Sequence, residues 1–293
     1  MSSEGKALRG WPLILLVVTL ATPALGLQLR SCPASLGQGE MAVVEVQAKG
    51  KVTGGFVGEP LFFFPYAPDL YRALIGVDLE AEPGPRGLQV AEGERVLRAT
   101  VMVKRRPFGL QRLNLPPEMV ELRGEALRRV RREKALIRRA LLGTKPQPLW
   151  RRPFLLPLRG RITGAFGLQR LINGRFRSRH TGLDIAAPEG TPVVATNDGV
   201  VVLASSLYLE GNTVIMDHGL GLYSFYLHLK EFFVKRGQRI QRGKVLGLVG
   251  VSGRASGPHL HWGVVLRGKR VDPLSLLEAL GEQGWKRGLS RRP

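Results

Sequence analysis

Hydrophobic and polar positions follow a strand-like rule in two long stretches of this chain and a different rule between them. Over residues 38–115 short β-rich segments recur: AVVEVQ (42–47), LIGVDLEAEPGPRGLQV (74–90) around a Pro-Gly turn, and the partly alternating VLRATVMV (96–103). GGFVGEPLFFFPYAP (54–68) is broken by Gly and Pro and then turns aromatic. Strands at this spacing, with Gly/Pro turns and no helical period, predict a β-sandwich. PPEMVELRGEALRRVRREKALIRRALLG (116–143) opens on two prolines and closes on Gly143, which are helix start and stop signals. Leu122, Leu127, Val130, Leu136, Ile137 and Leu141 form an irregular apolar stripe among its arginines. The expectation is a solvated helix resting on its neighbours rather than an arm that grips anionic polymer. A Pro-rich tether, KPQPLWRRPFLLPLRG (145–160), follows. From 160 to 274 strand-like segments resume, rich in glycine: GTPVVATNDGVVVLASS, NTVIMDHG, LYSFYLHL, GKVLGLVG and HLHWGVVLRGKRV.

The start of the chain has a different character. Lys6 and Arg9 precede an apolar run from Trp11 to Leu25, and small residues around Ala24-Leu25-Gly26 suit a signal peptidase. The run is shorter than the ~20 apolar residues of a membrane span, so a secretory signal over 1–26, cleaved after Gly26, is expected. No transmembrane span would remain. Cys32 is the only cysteine, which rules out an internal disulfide, and Arg30 sits where a lipobox requires a small residue.

The 293 residues carry 44 Lys+Arg against 23 Asp+Glu, a formal net charge of +21. Such a field favours polyanionic surroundings. Export makes nucleic acid an improbable partner and leaves an anionic cell-envelope surface.

All five histidines, His180, His218, His228, His259 and His261, fall in the second half. In GPHLHWG, His259 and His261 are two apart, so on a strand they share one face while Leu260 and Trp262 turn to the other. In HTGLD, His180 and Asp184 place an imidazole and a carboxylate four apart. Two histidines and one aspartate suit zinc and leave a fourth position for water, which marks a catalytic rather than a structural site. Either motif alone is commonplace. Their union with the histidine of YLHL in one Gly-rich domain gives them weight. Strand periodicity does not say which of His259 and His261 would bind metal. His218, in Asp217-His218-Gly219, reads as structural.

RSRHTGLDIAAPEGTPVVATNDGVV, GNTVIMDHGLGLYSFYLHL and VKRGQRIQRGKVLGLVGVSGRASGPHLHWGVV resemble, in order, the M23 (lysostaphin or LytM-type) zinc metalloendopeptidases. That resemblance implies a β-sheet domain with zinc in a long groove and an activity on peptide bonds of peptidoglycan stems or cross-links, through a zinc-activated water. Carried over by motif, the metal ligands would be His180, Asp184 and His261, and the catalytic pair His228 and His259. Arg175, Arg177 and Arg179 lie in a loop that borders the family's groove. The first half resembles the Ig-like domain that precedes some M23 domains.

The expected architecture is therefore mainly β. A signal peptide (1–26) leads to an Ig-like β-sandwich (33–115), then a basic helix and Pro-rich linker (116–152). An M23-type antiparallel sheet domain (153–278) and a basic tail (279–293) complete it. The expected setting is exported, in the periplasm, cell envelope or outside. The competing reading is an autoinhibited or non-catalytic wall-binding regulator of another hydrolase. VKRGQRIQRGKVLG also looks like the hairpin of biotinyl or lipoyl carriers, but Lys244 lacks the flanking residues such carriers need.

Overall fold

The computed structural model describes residues 26–114 and 117–290; the expected signal segment, residues 1–25, lies outside them. Among the described residues no helix is long and apolar enough to cross a membrane. The fold is mainly β.

The first half forms two sheets. One pairs Met41–Gln47 with Gln28–Ser31 and Leu70–Gly76; the other is centred on the hairpin Gly84–Glu92 and Arg95–Lys104. Val44, Val46, Phe56, Ile75, Leu88 and Val101 fill the space between them, with exposures of 0–1%. The alternation predicted for 96–103 is visible in the burial of Val101 and Val103 between exposed Thr100, Met102 and Lys104.

The second half is built on a large sheet. Its path runs Gly199–Leu207, Gly211–Asp217, Leu222–Phe232, His259–Leu266, Gly182–Ala186 and Gly160–Gly164, each antiparallel to the next. One face carries Leu183, Ile185, Leu222, Tyr226, Leu260, Trp262 and Val264 into the main core. The opposite face carries the site and, further along, the helix.

Three features depart from the sequence expectation. First, the basic segment is not one helix. A turn at Pro117–Val120 is followed by the helix Gly124–Ala140, because Gly124 takes a left-handed backbone (φ 53°) that resets the chain direction. That helix lies on the sheet: Ile137, Ala140 and Leu141 meet Leu203, Leu207, Ile215 and Tyr223, Val130 is buried on the same helix, and Tyr223 Oη donates to Leu141 O. Second, Leu110–Leu113 leaves the sandwich and pairs in parallel with Gln169–Ile172 of the second half. Third, the residues expected to trail as a basic tail turn back, so that Leu289–Ser290 adds to the sheet edge beside Gly160–Gly164. The Pro-rich stretch is docked rather than loose: Leu149 N donates to His218 O and Leu220 N to Lys145 O.

Candidate metal centre

The site spans three adjacent strands. Asp184 on Gly182–Ala186 lies directly opposite His261 on His259–Leu266, and Ala186 lies opposite His259. His180 immediately precedes the first of these strands. Gly182, between His180 and Asp184, faces the same side: a Cβ there would stand 2.6 Å from His261 Nε2. Gly164 plays the same part beneath the carboxylate, where a Cβ would stand 2.5 Å from Asp184 Oδ2. The glycines thus clear space for the rings and the carboxylate to converge.

His228 reaches the same face by a different device. Leu222, Tyr226 and Leu229 all point into the main core, yet Tyr226 and Leu229 are three apart, which a regular strand would place on opposite faces. The register against Gly211–Asp217 shifts at this point, and His228 has a left-handed φ of 62°. This is a bulge that turns one extra side chain outward. Without it, His228 would follow Tyr226 inward.

Hydrogen bonds fix the rings. His180, His228 and His259 each set Nδ1 against a backbone carbonyl, of Ala165 (2.7 Å), Ser252 (2.9 Å) and Gly257 (2.8 Å) respectively. A carbonyl only accepts, so each Nδ1 carries the proton and each neutral ring presents an Nε2 lone pair to the cavity. His180 Nε2, His261 Nδ1 and Asp184 Oδ1 stand 2.7–2.9 Å from one another. His259 Nε2 is 3.8 Å from the same oxygen, and the His228 ring centroid is 4.9 Å from that of His259 and 6.1 Å from that of His261.

Burial would raise the Asp184 carboxyl, but the His180 and His261 rings set against its Oδ1 outweigh it and hold it well below the usual carboxylate range. Burial, opposed only in part by Asp184, pushes the His261 imidazole down to about 4. Burial and the neighbouring His261 and His259 push His228 down to about 3. An ionised Asp184 carboxylate opposite a His261 imidazole kept neutral suits a divalent cation. The convergence of His180, Asp184 and His261 passes a further test. With Nδ1 protonated on His180, its Nε2 and Asp184 Oδ1 meet at 2.9 Å as two electron pairs, which a zinc ion placed among them would neutralise.

Sequence reasoning did not single out the groups that surround this centre. Arg170 Nη2 bonds Asp184 Oδ2 at 2.8 Å while its Nε bonds Gln111 Oε1 at 3.0 Å. A cavity of about 220 Å³ is lined by Asp184, His228, His259, Arg170, Arg254 and Gln111, among others. Nothing in a chain of 44 basic residues marks Arg170 or Arg254 in advance. Of the loop arginines expected near the groove, Arg179 instead pairs with Glu80 (3.1 Å) and lies over Phe108. Arg175 is exposed, and the Arg177 side chain lies outside the described residues. His218 is set apart: fully buried, its ring joins Asp198 O and Ser224 Oγ, both at 2.7 Å.

Residues 178–273 match the model of peptidase family M23. A solved chain from Pseudomonas aeruginosa assigned to peptidase M23 is 32% identical, with a TM-score of 0.65 over 83% of this chain and 95% of that one. This chain belongs to peptidase family M23. Among characterised relatives of this M23 chain, the peptidoglycan DD-endopeptidase ShyA of Vibrio cholerae is 44% identical over 95 residues, 32% of this chain and 22% of that protein. The DD-carboxypeptidase/endopeptidase Mpg of Neisseria meningitidis is 42% identical over 97 residues, 33% of this chain and 22% of that protein. The M23 chain thus spans about a quarter of the length of the curated relatives it matches.

Proposed function

We propose that this M23 chain is an exported zinc-dependent endopeptidase that hydrolyses peptide bonds in peptidoglycan stems or cross-links. The observation that carries this reading is the meeting of His180, Asp184 and His261 at one point, with His228 and His259 beside them on the same sheet face. Relatives named for peptidoglycan endopeptidase activity are 42–44% identical to this chain over the stretches they match. His180, Asp184 and His261 would hold the ion. When bound, zinc lowers the pKa of a water and polarises the peptide carbonyl.

The chain's own residues supply the rest. Arg170 ties Asp184 Oδ2, which leaves Oδ1 aimed at His180 and His261 and fixes the carboxylate as a one-oxygen ligand. His228 and His259 present unprotonated Nε2 atoms because Ser252 O and Gly257 O hold the other nitrogens. One of the pair takes a proton from water as its oxygen bonds to the carbonyl carbon. The imidazolium so formed then passes that proton to the departing amine as the C–N bond breaks, while the other ring steadies the oxyanion only in its protonated form, with an N–H on Nε2. The net charge of +21 favours retention at an anionic envelope surface, and export keeps the protein from nucleic acid.

Metal analysis of the purified protein and mass spectrometry of peptidoglycan digests test the reading together. The expected result is one zinc per chain, cleaved stem or cross-link peptides, and loss of both on His261→Ala. A zinc-free protein, or undiminished digestion by His261→Ala, overturns it.

One observation keeps the autoinhibited reading in play: Gln111 and Leu113, from a strand contributed by the first half, line the cavity. Digestion rates of the full chain and of a truncated chain starting at Trp150 separate the two. A large gain on truncation favours inhibition by the first half; an equal rate from a truncated chain that still melts cooperatively favours an open site.

A further inference from the structure

The helix Gly124–Ala140 shares a sheet face with the metal centre. On the strand His259–Leu266, alternate residues turn Leu260, Trp262 and Val264 into the main core and leave His259, His261 and Val265 on the other side. Val265 packs against the cluster that holds Ala140 of the helix, so only roughly 13 Å of strand separates His261 from the position beneath the helix. A second link runs through the turn 208–210. Tyr208 N donates to Glu133 Oε2 of the helix at 2.9 Å, and His228 N donates to Glu210 O at 3.0 Å. Burial raises the Glu210 carboxyl, and Lys134 of the helix acts against that rise.

The charges of the helix fall into two groups. Arg128 and Arg132 pair with Glu125, and Arg129 pairs with Glu133. Arg131, Lys134, Arg138 and Arg139 are exposed, and among the described residues none of the four has an ion-pair partner. Arg131, Lys134 and Arg138 are spaced by three and four, so they form one stripe, and Arg139 widens it at its end. The helix dipole favours cations in the last turn. That accounts for Arg138 and Arg139 but not for Arg131 or Lys134. The backbone beneath the stripe is fixed, because Val130 and Ala140 are buried and Tyr223 Oη holds Leu141 O.

Charge and place narrow the partner. Four unpaired cations spread over about 12 Å of helix complement an anion that repeats rather than a single small one. A lipid surface would need an apolar band beside the cations. Here the apolar stripe is already packed on the sheet, and the exposed Leu136 (40%) and Leu142 (75%), six residues apart, do not share a face. A polymer whose peptides enter the metal centre must approach this same sheet face, and peptidoglycan repeats a free carboxylate from stem to stem.

We propose that the face of the helix carrying Arg131, Lys134, Arg138 and Arg139 is a docking surface for the peptidoglycan strand, holding the carboxylates of stems that neighbour the one being cut. This rests on the peptidase reading above and adds to it a polymer-binding surface outside the metal centre.

The test compares the full zinc-loaded chain with the fourfold variant Arg131→Gln/Lys134→Gln/Arg138→Gln/Arg139→Gln, since Gln keeps the helix propensity. A control, Lys51→Gln/Arg95→Gln/Arg98→Gln/Lys104→Gln, removes the same charge from the first half. Binding is read by pelleting with sacculi stripped of attached phosphate polymers, each chain carrying His228→Ala so that the wall is not digested. At low salt the helix variant should bind roughly 10- to 100-fold more weakly, the combined effect of four exposed ion pairs, and the gap should close at high salt. Without His228→Ala, its digestion of sacculi should fall about tenfold further than its cleavage of a soluble stem peptide. The control should bind and digest close to the parent. An equal loss in the control reduces the effect to net charge, and undiminished binding by the helix variant removes the surface; either result overturns the proposal. So does a parent protein that binds anionic phospholipid vesicles or polyphosphate but not the stripped sacculi. Should the fourfold variant fail to melt cooperatively, Arg131→Gln/Lys134→Gln, outside the last turn, is read in its place, with a loss of roughly 3- to 10-fold. A parent that cuts neither sacculi nor peptide sinks the peptidase reading instead, and the pelleting ratio then still decides the surface.

Discussion

At the scale of single residues, alternation in GPHLHWG correctly places Leu260 and Trp262 in the core, both 0% exposed, and His259 and His261 on the opposite face. The pattern is legible because a half-buried strand has a strict period of two. It could not rank the two histidines. The pairing register distinguishes their surroundings, since Asp184 lies opposite His261 rather than His259, and register depends on a strand 77 residues away. The glycines were equally hidden in a chain with 37 of them. Gly164→Ala would drive a methyl into Asp184 Oδ2. Zinc affinity should fall on the order of 10- to 100-fold with the fold intact, as read by competition with a chelator; an unchanged affinity would refute the close-approach argument. His218 gives a second prediction. Burial lowers its imidazole from 6.5 to about 4, so between those values the unfolded chain binds the proton and the folded chain does not. Stability is complete above about pH 6.5 and is lost as pH falls toward 4, by roughly 3 kcal/mol at about 1.36 kcal/mol per pH unit. Denaturant melts of His218→Gln and the parent across pH 7 to 4 should show a shallower decline in the variant. Parallel declines would assign the effect to other groups.

At the scale of elements, the strands were easier to read than their interruptions. A short helical turn does start at Pro117, but the main helix begins at Gly124 because that residue takes a left-handed φ that no apolar pattern reports. The bulge at His228 was likewise unreadable: nothing in LYSFYLHL marks a break in register, although the histidine itself drew notice beside HTGLD and HLH, and its catalytic role came only from the resemblance to M23 proteins. The left-handed backbone there has a measurable consequence. Asn tolerates positive φ, whereas a β-branched residue is strained by it. Both His228→Asn and His228→Val should lose peptide hydrolysis. His228→Val should lose about 1–3 kcal/mol more stability than His228→Asn. Equal denaturation midpoints for the two would show that the bulge relaxes at little cost.

At the scale of the whole molecule, a boundary drawn from composition near residue 115 misses how the halves are joined. Sequence shows where patterns change, while contacts between distant segments leave no local trace. Met41, Phe64 and Leu74 of the first half belong to the same core as Phe154, Leu266 and Leu276 of the second. Met41 N donates to Ser275 Oγ, which donates in turn to Met41 O. Arg106 bonds Asp272 Oδ2 at 3.0 Å, and the other oxygen of Asp272 caps the helix Pro273–Leu280. With the Leu110–Leu113 pairing added, the first half cannot swing away from the site without breaking a core, a half-buried ion pair and a strand ladder. The two halves should therefore unfold in one calorimetric transition, and two well-separated transitions would contradict this. Arg106→Ala should lower that transition, at a cost of about 1–3 kcal/mol for the acceptor left behind. The cost should depend on pH in a defined direction. Burial already pushes the Asp272 carboxyl up against the pull of Arg106, so without the guanidinium it rises further and protonation relieves the charge at low pH. The deficit of Arg106→Ala should then be smaller at acidic pH than at neutral pH. A deficit that is flat, or that shrinks as pH rises, would mean that Arg106 serves the interface through packing and its bond to Gln38 O rather than through its charge.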